Sequence, residues 1–469
     1  MGSIDVISSQ IDVLSIVQSL MLIERQPIVN LDKQVAAIQS KVNAYQTFNT
    51  RLSALSDKIN MILYGSATAP FNKPPSFAER FAVSAFAKCT TTSSDKDVIS
   101  ATASNATVGG VYDITVERLA QTQAMASVGF AGINDAIGTG SIIINQGQGD
   151  DAKSVTIELT EENNTLKGLQ KAINAADIGV TASIINDGSE YRLMLTSNKS
   201  GTANAFAIDA SGFVPESGGS MPNFTQTRAA LDAQFTVNGI GITKGSNTVD
   251  DVIDGVTLTL KKTTASAVKV SVERDTDSVM SAIKDMVSAY NTVNSFINSQ
   301  FTYNASRESA GVLSGDATLR SIQAKLQGQL AGSVSNALSG PYRVAGQLGL
   351  EFNRDGSLAL NEEKLREAMA KNPEAVSAFF LGDGASESML TNLSGALGGI
   401  TDSLSGPIKS AMDGMNKNIK SIQDSIRNYE SRLEVKERML TEQFSAADQA
   451  LRLLKLTQSS IGSSLSSNK

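Results

Sequence analysis

Apolar residues spaced alternately three and four apart mark both ends of this chain, and alternation of polar with apolar residues marks its middle. From Ile419 the apolar positions are Ile422, Ile426, Tyr429 and Leu433, and past the polar Lys436 comes Leu440. A second run, Phe444, Ala447, Leu451, Leu454, Ile461 and Leu465, keeps the rhythm one residue out of phase. At the other end Leu31, Val35, Ile38, Val42, Tyr45, Leu52, Leu55, Ile59 and Ile62 repeat it. Such spacing lines one face of a helix. A seam this narrow buries little against its own helix, so it needs a partner helix from the other end of the chain or from another subunit. The pattern points to an assembly protein before any chemistry is considered.

A shorter stripe, Val13, Ile16, Val17, Leu20 and Met21, precedes Pro27, whose missing N–H closes or kinks a helix. A long helix is predicted over residues 28–64, ended by Gly65 and a linker containing Pro70, Pro74 and Pro75. Val83, Ala85, Ala87 and Cys89 then alternate with Ser84, Phe86 and Lys88, which predicts a strand. Val111, Tyr112, Ile114 and Val116 predict another after Gly109-Gly110. Residues 140–211 read as a compact βαβ-like unit. It has strands at 142–144 and 155–159, a helix at 165–176 capped by Thr165, and a hairpin turning at Asp187-Gly188. Gly138-Thr139-Gly140-Ser141 reads as a turn, and residues 212–222 as a Gly/Ser/Pro-rich link. Strands between 235 and 272 echo the first unit faintly.

Beyond Asp275 the period is helical again, through Val279, Ile283, Met286, Val287, Tyr290 and Val293. A second helix is predicted at 317–330 and a hairpin at 348–361. Asn361 is placed to cap a helix running to Met369, with Glu362 and Glu363 in its first turn. Val376, Phe379 and Phe380 pack behind it, and residues 382–406 read as loose and Gly/Ser-rich. The predicted fold class is α+β multidomain: a discontinuous, coiled-coil-like helical leg from both termini with small β-rich domains inserted. The predicted division assigns 1–30 and 436–469 to terminal assembly helices, and 31–76 with 275–435 to the leg. Residues 77–135 with 226–274 form one β-rich head domain, and 136–225 a second inserted in it.

Composition narrows the chemistry. The 469 residues carry a net charge of −7, 41% hydrophobic and 19% charged residues, as in an ordered globular chain and not a nucleic-acid binder. Histidine is absent, which removes the commonest general base and metal ligand. The single cysteine, Cys89, makes neither an intramolecular disulfide nor a Cys-rich metal site, and reads as a small packed residue. No run approaches ~18 apolar residues, so no membrane span is predicted. The first ten residues lack the basic and apolar regions of a cleaved signal peptide. The acidic pairs Asp150-Asp151, Glu161-Glu162, Asp250-Asp251 and Glu362-Glu363 lack the alternating offsets of a calcium loop and read as solvated charge. Gly147-Gln148-Gly149 lacks the third glycine and helix of a dinucleotide loop. No enzyme activity and no cofactor are expected.

Four stretches carry a resemblance: residues 12–28, DVLSIVQSLMLIERQPI; 111–120, VYDITVERLA; 348–380, LGLEFNRDGSLALNEEKLREAMAKNPEAVSAFF; and the terminal helix, 415–465. Together, and in this order, they resemble the hook-associated protein 2 family of flagellar filament caps. Residues 140–197 are similar to the small repeat inserted in flagellins and hook-associated proteins. The run that commonly precedes the first stripe in the family is replaced by Ser9-Gln10-Ile11-Asp12, so no role is carried over to residues 1–7.

The resemblance implies a homo-oligomeric ring at the filament tip that retains exported flagellin and promotes its folding and insertion. It implies export by the flagellar type III system without a cleaved signal. It also implies hook-associated junction proteins and a FliT-like export chaperone as partners. Two other readings stand beside it: another axial flagellar protein of the hook–filament junction type, and a tip adhesin binding host mucin or glycan through its Ser/Thr/Asn-rich β domains. For the seams, Val35, Ile38 and Val42 are expected to pair with Ile422, Ile426, Tyr429 and Leu433 inside one subunit. Val13, Ile16, Val17, Leu20, Met21, Leu451, Leu454, Ile461 and Leu465 are expected to lie beyond that pairing and to make self-assembly or filament contacts. The phase slip between Leu440 and Phe444 is expected to mark the hand-over between the two roles.

Overall fold

A computed structural model describes residues 12–67, 76–147, 152–217, 222–304, 309–334, 339–382 and 388–466. Pro70, Pro74, Pro75, Asp150 and Asp151 lie outside them, as does the Gln148-Gly149 step. The chain divides into two compact units, Met1–Arg80 with Met280–Lys469, and Phe81–Val279.

The first unit is helical. Asp12 accepts the Ser15 N–H at 3.1 Å and starts α1 (Val13–Glu24). After Arg25 comes α2 (Gln26–Tyr64), with Pro27 in its first turn, where its missing N–H costs nothing. Gly65 ends α2 in the left-handed conformation, φ 64°, which suits a residue without Cβ. The second half of α2 buries Val42, Tyr45, Phe48, Leu52, Leu55, Ile59, Ile62 and Leu63. Against it lie α5 (Thr276–Phe301), whose Phe296 stacks on Phe48 at 5.5 Å, and α9 (Met389–Thr401). The helix α6 (Ala317–Ala331) starts at Asp316, which accepts the Leu319 N–H at 3.0 Å. After α5 the short strands β16 (Tyr303–Asn304) and β17 (Ser309–Ala310) pair, and a hairpin of β18 (Leu350–Phe352) and β19 (Leu358–Leu360) precedes α7 (Glu362–Lys371) and α8 (Pro373–Leu381). Asn361 caps α7 through the Lys364 N–H, as its position predicts. The last helix, α10 (Pro407–Ser466), is continuous over 60 residues.

The second unit holds two β cores. In one, β1 (Cys89–Ser93), β3 (Gly110–Arg118), β11 (Ala233–Val237), β12 (Ile240–Lys244) and β15 (Val268–Arg274) form a sheet in the order β1-β15-β3-β11-β12. It shares its core, centred on Ile99, Ile114, Phe235, Leu258 and Val270, with β13 (Thr248–Ile253), β14 (Val256–Leu260) and β2 (Ile99–Ala103). In the other, β5 (Gly138–Gln146) lies between β6 (Lys153–Leu159) and β9 (Phe206–Pro215). A second sheet there has the order β10 (Phe224–Arg228), β4 (Ala124–Ser127), β8 (Tyr191–Ser197) and β7 (Val180–Asn186). Between these sheets α4 (Leu166–Ala175) buries Leu166, Leu169 and Ile173, with Thr165 accepting the Gly168 N–H.

Five sequence expectations are corrected. Residues 83–88 are not a strand: α3 (Phe77–Val83) and a 3-10 turn at Ala85–Ala87 precede β1. Ser76 and Glu79 form the reciprocal cap that starts α3, with Ser76 Nα and Oγ donating to Glu79 Oε2 at 2.7 and 2.8 Å. Residues 138–141 are not a turn but the start of β5. At Gly140, φ 114°, an added Cβ would stand 2.2 Å from the Gly212 carbonyl, so glycine is what lets β5 close on β9. That pairing also absorbs residues 212–215 of the expected link into β9. The unit at 140–211 is not βαβ: every strand pair in it is antiparallel, and α4 joins strands of two different sheets. Finally, residues 389–401 are not loose but form α9, one of the most buried helices of the molecule. Met389, Leu390, Leu393, Ala396, Leu397 and Ile400 face the core, and Ser388 caps the start.

Candidate functional site

The functional candidates are the terminal helices, and the first observation is where α1 sits. Val17, Met21 and Leu433 are buried together, and Val13, Ile28, Leu440 and Phe444 pack around them. Burial of each of the first three is worth about 2 kcal/mol. Lys436, the polar break in the α10 seam, reaches Glu24 with its Nζ 2.6 Å from Oε1. Both side chains are about four-tenths exposed, so the pair adds at most about 1 kcal/mol and acts chiefly on register.

This geometry corrects the expected layout. The Val13–Met21 stripe lies beyond the α2–α10 pairing, but its inner face is folded onto α10 within the chain. Leu433 is buried by α1 and not by the Val35 and Ile38 region of α2. The Leu440-to-Phe444 phase slip falls where the α1 cluster ends: both residues pack in it, and α10 runs on through them unbroken. The α2–α10 pairing does exist: the two helices lie side by side, with Val42 and Ile419 buried and Val35, Ile38, Ile422 and Ile426 half-buried. Tyr429 stands exposed.

What the pairing leaves uncovered is as informative. Past Phe444, α10 continues with no helix against it among the described residues. Leu453, Leu454 and Leu456 are about two-thirds exposed (64%, 66% and 66%), and Leu451 and Ile461 are exposed with them. Leu465 is in the helix, but its side chain lies outside the described residues. On α1, Ile16 and Leu20 are exposed, and so are Leu14, Leu22 and Ile23. A short helix apolar on every side is normally buried on every side. Leu14, Leu22 and Ile23 fall outside the three-and-four stripe, and the excess of apolar residues in α1 is the signal that could have found them.

Chemistry is sparse. Among the described residues no group of three or more His, Cys, Asp and Glu side chains could hold a metal ion. Asp251 and Glu362 are engaged in exposed ion pairs with Lys244 and Lys284. Cys89 is half-buried, its thiol donating to the Thr107 carbonyl at 3.4 Å. No described helix is long and apolar enough to cross a membrane.

The family model "Flagellar hook-associated protein 2 N-terminus" matches residues 9–123, and its C-terminal counterpart residues 230–455. The "Flagellin hook IN motif" model matches 141–199, the region of β5 to β8. Flagellar hook-associated protein 2 of Escherichia coli K12 is 30% identical over 408 residues, covering 83% of this chain and 82% of that protein. The B-type protein of Pseudomonas aeruginosa is 32% identical over 366 residues, covering 72% and 74%. Among solved structures, the D1-D2-D3 domains of the Escherichia coli flagellar cap protein FliD superimpose with a TM-score of 0.59 at 32% identity. They cover 81% of this chain and 99% of that one. A helical unit closed by both ends of the chain, β domains inserted in it, and matches over most of its length at this identity place the chain in the flagellar hook-associated protein 2 family, the FliD flagellar cap proteins.

Proposed function

We propose that this protein caps the growing flagellar filament as a homo-oligomeric ring, retaining exported flagellin and promoting its folding and insertion. The observation that carries the reading is the apolar surface that one chain leaves uncovered on α1 and on the end of α10. Such a surface on a cap-family chain calls for neighbouring subunits or filament subunits. In this reading Val13, Val17 and Met21 hold α1 against α10. Ile16, Leu20, Leu451, Leu454, Ile461 and Leu465 face other chains, together with Leu14, Leu22 and Ile23. Val35, Ile38, Val42, Ile422 and Ile426 hold the leg of each subunit, and the two β cores form the head. Residues 1–30 and 436–469 act as assembly helices, 31–76 with 275–435 as the leg, 77–135 with 226–274 and 136–225 as the head domains. Export proceeds through the flagellar type III system. A FliT-like chaperone shields the C-terminal stripe beforehand, and hook-associated junction proteins are the first neighbours at the tip.

Removing residues 451–469 tests this. The truncated chain keeps the α1 cluster, so it should be exported and melt like the full chain. Cells carrying it should release monomeric flagellin and grow short filaments. Normal filament length and motility with the truncated chain would overturn the proposal.

A further inference from the structure

The turn between α9 and α10 carries Leu404, which at 90% exposure is the most exposed large apolar side chain among the described residues. The turn is not loose. Asp402 Oδ1 accepts the Leu404 N–H at 3.0 Å, the Ser405 N–H at 2.6 Å and the Ser405 hydroxyl at 2.9 Å. Gly406 closes back on the Asp402 carbonyl. The leucine is therefore held out in a fixed position, with its ordering cost already met on folding.

The same helical unit holds a groove of about 560 Å³ between α6 and the β18–β19 turn. Its walls include Gln323, Gln327, Ala331, Phe352, Arg354 and Asp355. Phe352 is 38% exposed and sits edge-on to Tyr290 at 6.1 Å. This turn is fixed too: Asn294 and Asn298 donate to the Asp355 carbonyl at 3.1 and 2.8 Å, and Tyr290 donates to the Gly356 carbonyl at 3.0 Å. Arg354 is exposed and makes no ion pair among the described residues.

The knob and the groove lie on different faces of α6. Thr318, with Gly399 and Pro407, lines a hollow at the foot of the Leu404 turn. Ala317, Ser321, Ile322 and Lys325 line the same hollow, and Gln323, Gln327, Gly328 and Ala331 line the groove; at about 100° per residue the two sets are centred roughly 130° apart round the helix. A knob and a groove on different faces do not form one self-complementary patch, as a two-fold contact requires. They join copies head to tail, the arrangement that closes into a ring. The charges agree: the Asp402 carboxylate sits at the base of the knob, and the unpaired Arg354 guanidinium is in the groove wall.

We propose that Leu404 of one copy of this chain inserts into the Phe352–Gln327 groove of the next, with Asp402 facing Arg354, as a repeating head-to-tail contact. The contact rests on the ring reading above and adds its leg interface.

A cross-linking experiment on the full-length chain, with Cys89→Ser as background, tests it. Leu404→Cys combined with Gln327→Cys and a short bismaleimide should give a ladder of covalent oligomers ending at the ring size. Leu404→Cys alone should give none. Leu404→Asp should weaken self-association about tenfold or more and leave thermal melting unchanged. Native mass measurement on the unmodified chain separates the two failures. A strict monomer would overturn the ring reading and this contact with it. An oligomer that yields no ladder, or that cross-links through Leu404→Cys alone, would overturn the contact and leave the ring standing. Unchanged self-association of Leu404→Asp with impaired flagellin retention would assign the knob to flagellin and overturn the self-contact.

Discussion

At the level of single residues, the helical unit depends on a few buried polar groups that tie one helix to another. The Tyr45 hydroxyl donates to Asp316 Oδ1 at 2.7 Å, and the same oxygen caps α6 through the Leu319 N–H. One carboxylate thus ties α2 to the start of α6. Tyr45→Phe should cost about 1 kcal/mol, the net worth of one hydrogen bond. Asp316→Ala should cost more, because the cap, itself worth about 1 kcal/mol, is lost as well; denaturant midpoints of the two variants would show the order. Burial, followed by the Asp316 carboxylate, pushes the Tyr45 phenol above its ordinary value. Burial pushes Tyr290 up to about 12. A raised folded-state value means the native state holds its proton more tightly than the unfolded chain does. The associated stability is complete below pH 10 and is lost as pH climbs from about 10 to about 12. Melting temperature should fall over that window, and Tyr290→Phe should flatten the fall.

Elements show where local pattern sufficed and where it failed. The two long helices, the Thr165 and Asn361 caps, and the hairpins at Asp187-Gly188 and Asp355-Gly356 were legible because each is specified by neighbours within a few positions. The helix α9 was not, because Gly395, Gly398 and Gly399 sit among its apolar residues and weaken its propensity. Packing against α2, α6 and α8 overrides that cost. At Gly138 and Gly140 the failure ran the other way, since glycines that mark turns elsewhere here admit a close strand partner. The α1–α10 pairing makes its own prediction. Val17→Asp or Met21→Asp would place an unpaired carboxylate in the small cluster with Leu433. Amide exchange should then become fast throughout α1 and change little in α2 and α9, with the main thermal transition close to that of the parent chain. If α1 kept its protection, its packing on α10 would not be what holds it.

For the whole molecule, the division at Arg80 and Val279 separates a helical unit built from both ends of the chain from a β unit that is continuous in sequence. The two β cores around Ile114 and Leu193 are complete inside that continuous stretch. The fragment 81–279 should therefore fold alone and melt cooperatively. The helical unit needs both of its sequence-distant halves, and the N-terminal segment alone should not fold. Calorimetry of the fragment beside the full chain would decide: an unfolded or non-cooperative fragment would contradict the division.

Periodicity by itself determined that long helices stand at both ends, that the middle is β structure with one short helix, and that the terminal seams require partners; that every strand pair of the 140–211 unit is antiparallel came only from the structure. Those properties depend on side chains three or four apart on a helix and two apart on a strand, and such distances are set by the local backbone. Which seam meets which was decided only by tertiary structure. Within the chain Val17 and Met21 met Leu433 and Lys436 met Glu24, and the surface left uncovered is the outer face of α1 and the end of α10. A helix face shows that it must be buried, but every apolar face offers much the same free energy per unit area. The choice among faces falls to chain connectivity, shape and the few charges that tune register.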